Sequence, residues 1–169
     1  MRAPARLGTA MMAALALGLG APAAAQLVKD RPAITLAGAG VITDAAYAEA
    51  EKRGLKVTIV VVDPAGVPVM LRRMDDAPQP GPEIATGKAQ TSARFNNSTA
   101  VFEQRLQKEG QLRYLTFPGA MVASEGGLAV KIGGKTVGAV GVSGGTSQED
   151  GLIAAAGVAA LEAALTAKK

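Results

Sequence analysis

The sequence has no cysteine, no histidine and no tryptophan, and only two tyrosines and three phenylalanines among its 169 residues. Without cysteine the fold is held by packing rather than by disulfides, and no thiol nucleophile exists. Without histidine there is no Ser-His-Asp triad and no imidazole to ligate a metal, and no metal site is assigned. Any catalysis rests on carboxylates, Lys, Arg, Tyr, hydroxyls or a bound cofactor. So few aromatic rings leave little on which nucleic acid bases could stack. The apolar run near the start, Leu7 to Leu19, is too short for a permanent transmembrane anchor.

That run has a specific reading. Arg2 and Arg6 precede it and APAAAQ follows, with small residues at Ala23 and Ala25. A charged start, a short apolar core and small residues before the cut are the pattern of a secretory signal peptide. Residues 1–25 are therefore expected to be a leader, and residues 26–169 a single mature domain, periplasmic or extracellular. Charge fits this division. Of the 18 basic residues, Arg2 and Arg6 lie in the leader and Lys168 and Lys169 at the far end, which leaves 14 against 14 acidic residues. The basic pI, about 9.6, comes from the two ends, and nucleic acid is excluded as a partner.

Past the leader, Leu36, Ala39/Gly40, Ala46/Tyr47 and Ala50 recur at helical intervals, with Thr35 placed to cap and Gly54 to stop the helix. KVTIVVVDPAGVPVMLRRMD reads as a hairpin around a type I turn, Asp63-Pro64-Ala65-Gly66. Pro68 has no N–H for a ladder and confines its strand to an edge or a bulge. Pro82, Glu83 and Arg94 mark the ends of a second helix, and Ser98 caps a third that runs to about Lys108. LRYLTFPGAMVASEGG reads as loop. LAVKIGGKTVGAVGVS is a second hairpin, closed by Gly133-Gly134, and SQEDGLIAAAGVAALEAAL is the last helix. Strands in antiparallel pairs with helices between them predict an α+β domain, its sheet of about five strands flanked by helices.

The stretch GVSGGTSQEDGLIAAAG, Gly141 to Gly157, matches neither nucleotide fingerprint. It reads as a helix start: Thr146 or Ser147 caps, and Glu149 or Asp150 reaches back to free backbone N–H groups. A carboxylate there stabilises the helix end by about 0.3–1 kcal/mol and repels a second anion. Gly138, Gly141, Gly144 and Gly145 require close approach by something. Two readings stand: packing against the small-residue face of the last helix, or a ligand pocket. Upstream, Arg72, Arg73, Asp75 and Lys88 could surround a carboxylate-bearing ligand, since Arg offers a planar fork; otherwise they are a solvated hairpin end.

Taken as a set, VVVDPAGVPVMLRRMDDA, IATGKAQTSARF, FPG and EGGLAVKIGGKTVGAVGVSGGTSQEDGLIAAAG resemble the GlcG/HbpS-like haem-binding protein family. The same module forms the C-terminal domain of PduO-type proteins. The resemblance runs from about Ile34 to Leu161 and implies a small profilin-like α+β domain, homo-oligomers, and haem or a related tetrapyrrole as the ligand. By motif it places ligand-binding positions at Arg73, Met74 and Asp75, at Lys88 and Thr91, at Gly126 and Gly127, and at Gly144, Gly145, Thr146 and Asp150. Glu125 stands in the same block and completes the candidate set. Two departures stand out. Gln148-Glu149-Asp150 replaces the more usual Glu-Gln-Asp, and histidine, the commonest protein ligand to haem iron, is missing. Met70, Met74, Met121, Tyr47 and Tyr114 are the remaining soft or phenolic ligands; each is otherwise core or surface filling. Two rivals remain. One is an enzyme or catabolic accessory acting on a small oxygenated acid, with Arg73 and Lys88 holding carboxylate and Asp75 or Glu125 as acid or base. The other is a structural oligomer without ligand. No catalytic residue is assigned.

Overall fold

The computed structural model describes residues 30–117, 119 and 121–167; the expected leader, residues 1–25, lies outside them. In chain order the elements are α1 (Leu36–Lys52), β1 (Thr58–Val62), β2 (Pro68–Arg73), α2 (Gly81–Phe95), α3 (Thr99–Gln107), a 3-10 turn (Leu112–Thr116), β3 (Gly127–Ile132), β4 (Lys135–Ser143) and α4 (Ser147–Thr166). All lie in one compact unit that begins at Arg31. The strands form an antiparallel sheet in the order β2-β1-β4-β3. Among the described residues the sheet has four strands, close to the expected number of about five, and part of the segment before Gly127, expected as loop, forms the 3-10 turn.

The local signals act as their chemistry dictates. Asp63 Oδ1 accepts from the N–H groups of Ala65 (2.8 Å) and Val67 (2.9 Å), and Gly66 N donates to Asp63 O at 3.0 Å, which closes the first turn. Pro68 opens the edge strand β2, and the β1–β2 register slips between Val61 and Val62. In the second hairpin Gly133 and Gly134 take φ of +56° and +76°; a two-residue turn of this hand needs positive φ at both positions. Thr35 Oγ1 caps α1 through Gly38 N at 3.1 Å, and Ser98 Oγ caps α3 through Ala100 N at 3.2 Å.

Alternation along the strands sorts the core into two layers. Ile59, Val61, Val140 and Val142 face α1 and α4, and pack on Ile42, Ala46, Ile153 and Ala154. Val60, Val62 and Ala139 face Ala85, Ala89 and Ala93 of α2. All five residues of β1 are buried, and each such apolar side chain contributes about 1.5–3 kcal/mol. On the α2 side the sheet offers Gly127, Ala139 and Gly141, so the helix backbone lies almost on the strands. A Cβ on Gly141 would collide with Ala85 O and approach Ala89 N to 2.6 Å. The strand glycine therefore answers to α2, not to the last helix. That last helix makes its own close approach: a Cβ on Gly157 would lie 2.7 Å from Ile42 O in α1. No helix among the described residues is long and apolar enough to cross a membrane.

Candidate functional site

The sheet order brings the end of β4, the starts of β1 and β3 and the end of β2 to one end of the sheet. There α2 passes on one side and the N-terminus of α4 begins. Lys88, in the middle of α2, meets Asp150, in the first turn of α4: Nζ to Oδ2 is 2.7 Å, and both residues are 2% exposed. Asp150 Oδ1 accepts from Gly145 N at 2.9 Å. Burial pushes the Asp150 carboxyl upward, against the pull of the Lys88 ammonium and the Gly145 N–H. Gly126 covers the pair at φ +124°, and a Cβ on it would lie 2.8 Å from Lys88 Nζ and 2.7 Å from Asp150 Cβ. Gly127 is pinned in turn by Thr99, whose Oγ1 accepts from its N–H at 2.8 Å. Thr91 Oγ1 holds the preceding loop through Val122 N at 2.9 Å.

Beside this pair the α4 start is a capping box. Thr146 Oγ1 accepts from Glu149 N at 3.3 Å, and Glu149 Oε2 accepts from Thr146 N at 2.8 Å. The sequence left Thr146 or Ser147 as cap and Glu149 or Asp150 as the returning acid; Thr146 and Glu149 take those parts. Ser147 instead donates to Glu103 Oε1 at 3.0 Å, and Glu103 Oε2 accepts from Glu125 N, so α3 is tied both to the loop and to α4. The half-buried Glu125 carboxylate packs on Gly151. Burial raises it first and Glu103 second, with Lys88 acting in the opposite direction.

Lys88, Thr91, Glu125, Gly126, Gly127, Gly145, Thr146 and Asp150 thus converge. Gly144 sits over the Lys56–Val57 backbone at the same sheet end. Met74 is core, 4% exposed, its Sδ accepting from Val57 N at 3.4 Å. Arg73 donates to Ala77 O at 2.7 Å and closes the turn after β2, and Asp75 is exposed. Lys88 is paired with Asp150 inside the protein, whereas Arg73 is exposed beyond its bond to the Ala77 carbonyl. The converged residues lock α2, α3, the loop and α4 together.

A second constellation joins α2, α3 and the 3-10 turn, and the sequence reading weighed one of its members, Tyr114, as a ligand. Four of the five aromatic residues close into a ring: Phe95 to Phe102 (5.2 Å between centroids), Phe102 to Tyr114 (5.4 Å), Tyr114 to Phe117 (5.6 Å) and Phe117 back to Phe95 (5.8 Å, stacked at 15°). Phe95 and Phe117 of this group are exposed, as are Leu112 and Leu115 of the 3-10 turn. Tyr114 Oη accepts from Arg105 Nη1 at 2.9 Å and from Arg113 Nη2 at 3.2 Å. The Arg113 bond, then that of Arg105, holds the phenol below its usual range, while burial opposes them. The readable signal was four aromatic residues within 95–117, interleaved with Arg94, Arg105 and Arg113.

A separate cleft of about 390 Å³ opens between the start of α1, the β3–β4 hairpin and the far end of α4, lined by Ile34, Ala37, Val41, Val137, Leu161 and Leu165 among others. Its lining holds no charged side chain, no Met and no Tyr. Among the described residues, no group of three or more Asp and Glu is placed to hold a metal ion.

The family model described as haem degrading protein HbpS-like matches residues 34–159. Protein GlcG of Escherichia coli strain K12 is 35% identical over 105 residues, covering 62% of this chain and 77% of that one. The crystal structure of a double mutant of Streptomyces reticuli HbpS superposes with a TM-score of 0.73 at 27% identity, over 92% of this chain and 97% of that one. A crystal structure of a PduOC–haem complex gives 0.69 at 29% identity, over 76% and 94%.

Proposed function

This chain belongs to the HbpS-like family, and from that premise we propose that it is an exported haem-binding protein acting as a homo-oligomer. The observation that carries the haem reading is the ring of four aromatic side chains set among arginines. A porphyrin is a flat apolar disc with anionic propionates, and it asks for aromatic faces beside cations. Phe95 and Phe117, stacked and partly exposed, supply the faces. Arg105 and Arg113, over the Tyr114 ring at 5.9 and 5.1 Å, supply the cations. When bound, haem supplies a redox-active iron that this chain lacks. The structural likeness to a haem-bound PduOC domain supports the same reading.

The apolar cleft at the other end of α4 does not suit haem, because its lining offers neither an iron ligand nor a cation. Its rim suits a second subunit better: Leu36 is 63% exposed, Leu165 40% and Ile132 36%. Apolar surface of that kind on a glycine- and alanine-rich domain supports self-association. Export is supported by the leader pattern of residues 1–25, and protein from the exporting host is expected to begin at Gln26 by mass spectrometry.

Haem titration of the mature protein, followed by Soret absorbance, tests the main reading. Saturable binding is expected, weakened about tenfold or more, 1.4 kcal/mol, by Phe117→Ser and left unchanged by Ala164→Ser in the cleft. Absence of saturable binding would remove the haem function.

A further inference from the structure

We propose that Glu103 and Glu125 form a proton-operated latch on α3: with one proton between them the helix is held, and loss of that proton frees it, loosening one wall of the aromatic group. The latch is a property of the fold; what it regulates rests on the haem reading above. α3 has nine residues and buries only Thr99 and Phe102, so packing alone holds it weakly. At its start the ties carry no charge: Ser98 and Thr99 hydroxyls donate to Gly127 O at 3.3 and 3.4 Å, and Gly127 N donates to Thr99 Oγ1 at 2.8 Å. In its middle the ties converge on one carboxylate. Glu103 Oε1 accepts from Ser147 Oγ at 3.0 Å, and Oε2 accepts from Glu125 N. Phe102, next to Glu103 in the chain, stands edge-on to both Phe95 and Tyr114, and Arg105 donates to Tyr114 Oη. The grip on Glu103 therefore sets where Phe102 and Arg105 stand.

Because Glu103 grips the backbone N–H of Glu125, the two carboxyl groups share one neighbourhood. Lys88 from α2 and Asp150 from α4 face it too, but they are paired with each other at 2.7 Å. Glu149, in the same turn of α4, is turned back on Thr146. With both glutamates ionised, one ammonium therefore stands among three carboxylates, and like charges so placed disfavour ionisation of one of them. Both Glu103 oxygens already accept, whereas the half-buried Glu125 carboxyl has no hydrogen-bond partner among the described residues, so Glu125 is the seat of the proton. Burial first and the Glu103 charge second favour its protonated form, with Lys88 opposing. Release of the proton sets the two carboxylates against each other. Glu125 cannot retreat: its side chain packs on Gly151, and the next residue, Gly126, accepts from Val142 N of β4 at 2.9 Å. α3 is the side that yields. Attached α3 thus holds the proton more tightly than detached α3, so acid keeps the helix in place and rising pH frees it.

Hydrogen exchange of the haem-free mature chain tests the latch, read by mass spectrometry on the α3 peptide and scaled to the unfolded chain at each pH. Above the ordinary carboxyl value of 4.5, protection of α3 is expected to fall by up to about tenfold per pH unit and to level off past the folded value. The α2 amides keep their protection throughout. Glu125→Gln, uncharged and of the same shape, is expected to hold α3 at every pH and abolish the slope. Glu103→Gln removes the same repulsion from the other side, keeps an acceptor for the Glu125 N–H, and is expected to give the same flat profile should the first variant not fold. Glu162→Gln, exposed at the far end of α4, keeps the slope. Haem association, measured below and above the midpoint, is expected to be faster at the higher pH, with that ratio reduced in Glu125→Gln. Protection of α3 that ignores pH in the wild type, or a slope that survives both glutamine variants, overturns the latch. An association ratio unchanged in a variant whose slope is gone overturns its control of the aromatic group. No haem binding by the wild type overturns the function above, while the haem-free exchange still decides the latch.

Discussion

Lys88 and Asp150 give up their hydration to meet inside the protein, a loss offset by their contact and by the backbone N–H groups of Gly145 and Gly144. Removing one partner strands the other. Asp150→Ala is expected to destabilise the fold by about 3–5 kcal/mol in urea unfolding, whereas Lys88→Met with Asp150→Leu together should recover most of the loss. A single variant within about 1 kcal/mol of wild type would mean that the pair is solvated in solution. Glu125 makes a different prediction. Its folded pKa lies above the ordinary 4.5, through burial and the nearby Glu103. Between those two values the folded protein still holds a proton that the unfolded chain has released. Stability attributable to Glu125 therefore falls as pH rises through the folded pKa. Glu125→Gln should flatten that part of the melting temperature against pH, and an unchanged slope would place the carboxylate in free solvent.

Among the elements, α4 begins on a reciprocal cap and α2 lies on glycine. Thr146→Ala removes the cap and is expected to cost about 0.5–2 kcal/mol by thermal melting. Gly141→Ala drives a methyl into the α2 backbone at Ala85 O, which cannot retreat as a flexible side chain would; about 1–3 kcal/mol is expected, and retention of full stability would show that α2 shifts freely. The contrast between these sites shows what the sequence could tell. Thr35, Ser98, Gly133-Gly134 and the Asp63 turn were legible because each satisfies backbone groups within four residues of itself. The partner of Gly141 was not, because a glycine records that something comes close and not what. Lys88 was read as a ligand-facing cation for a similar reason: nothing local announces that a lysine will be buried against a residue 62 positions away. Glu103 escaped notice altogether, since its bonds to Ser147 and Glu125 join three separate segments.

At the scale of the whole molecule, the motif residues and the apolar cleft lie at opposite ends of α4, a helix of 20 residues and so roughly 30 Å long. Leu36→Lys or Leu165→Lys at the cleft rim is therefore expected to shift light-scattering mass toward the monomer without touching the Soret titration; a monomeric wild type at micromolar concentration would count against assembly. The strand order has a kinetic consequence as well. β1–β2 and β3–β4 are local hairpins, but the sheet exists only when β1 meets β4, Thr58 beside Ser143 and Val62 beside Ala139. Bringing such distant strands together costs loop entropy before any contact returns it. That docking should limit the folding rate, with Lys88 and Asp150 finding each other only afterwards. A chevron for Asp150→Ala should then show a faster unfolding arm and an unmoved folding arm. The buried pair would set how long the protein stays folded, and the strand order how soon it gets there.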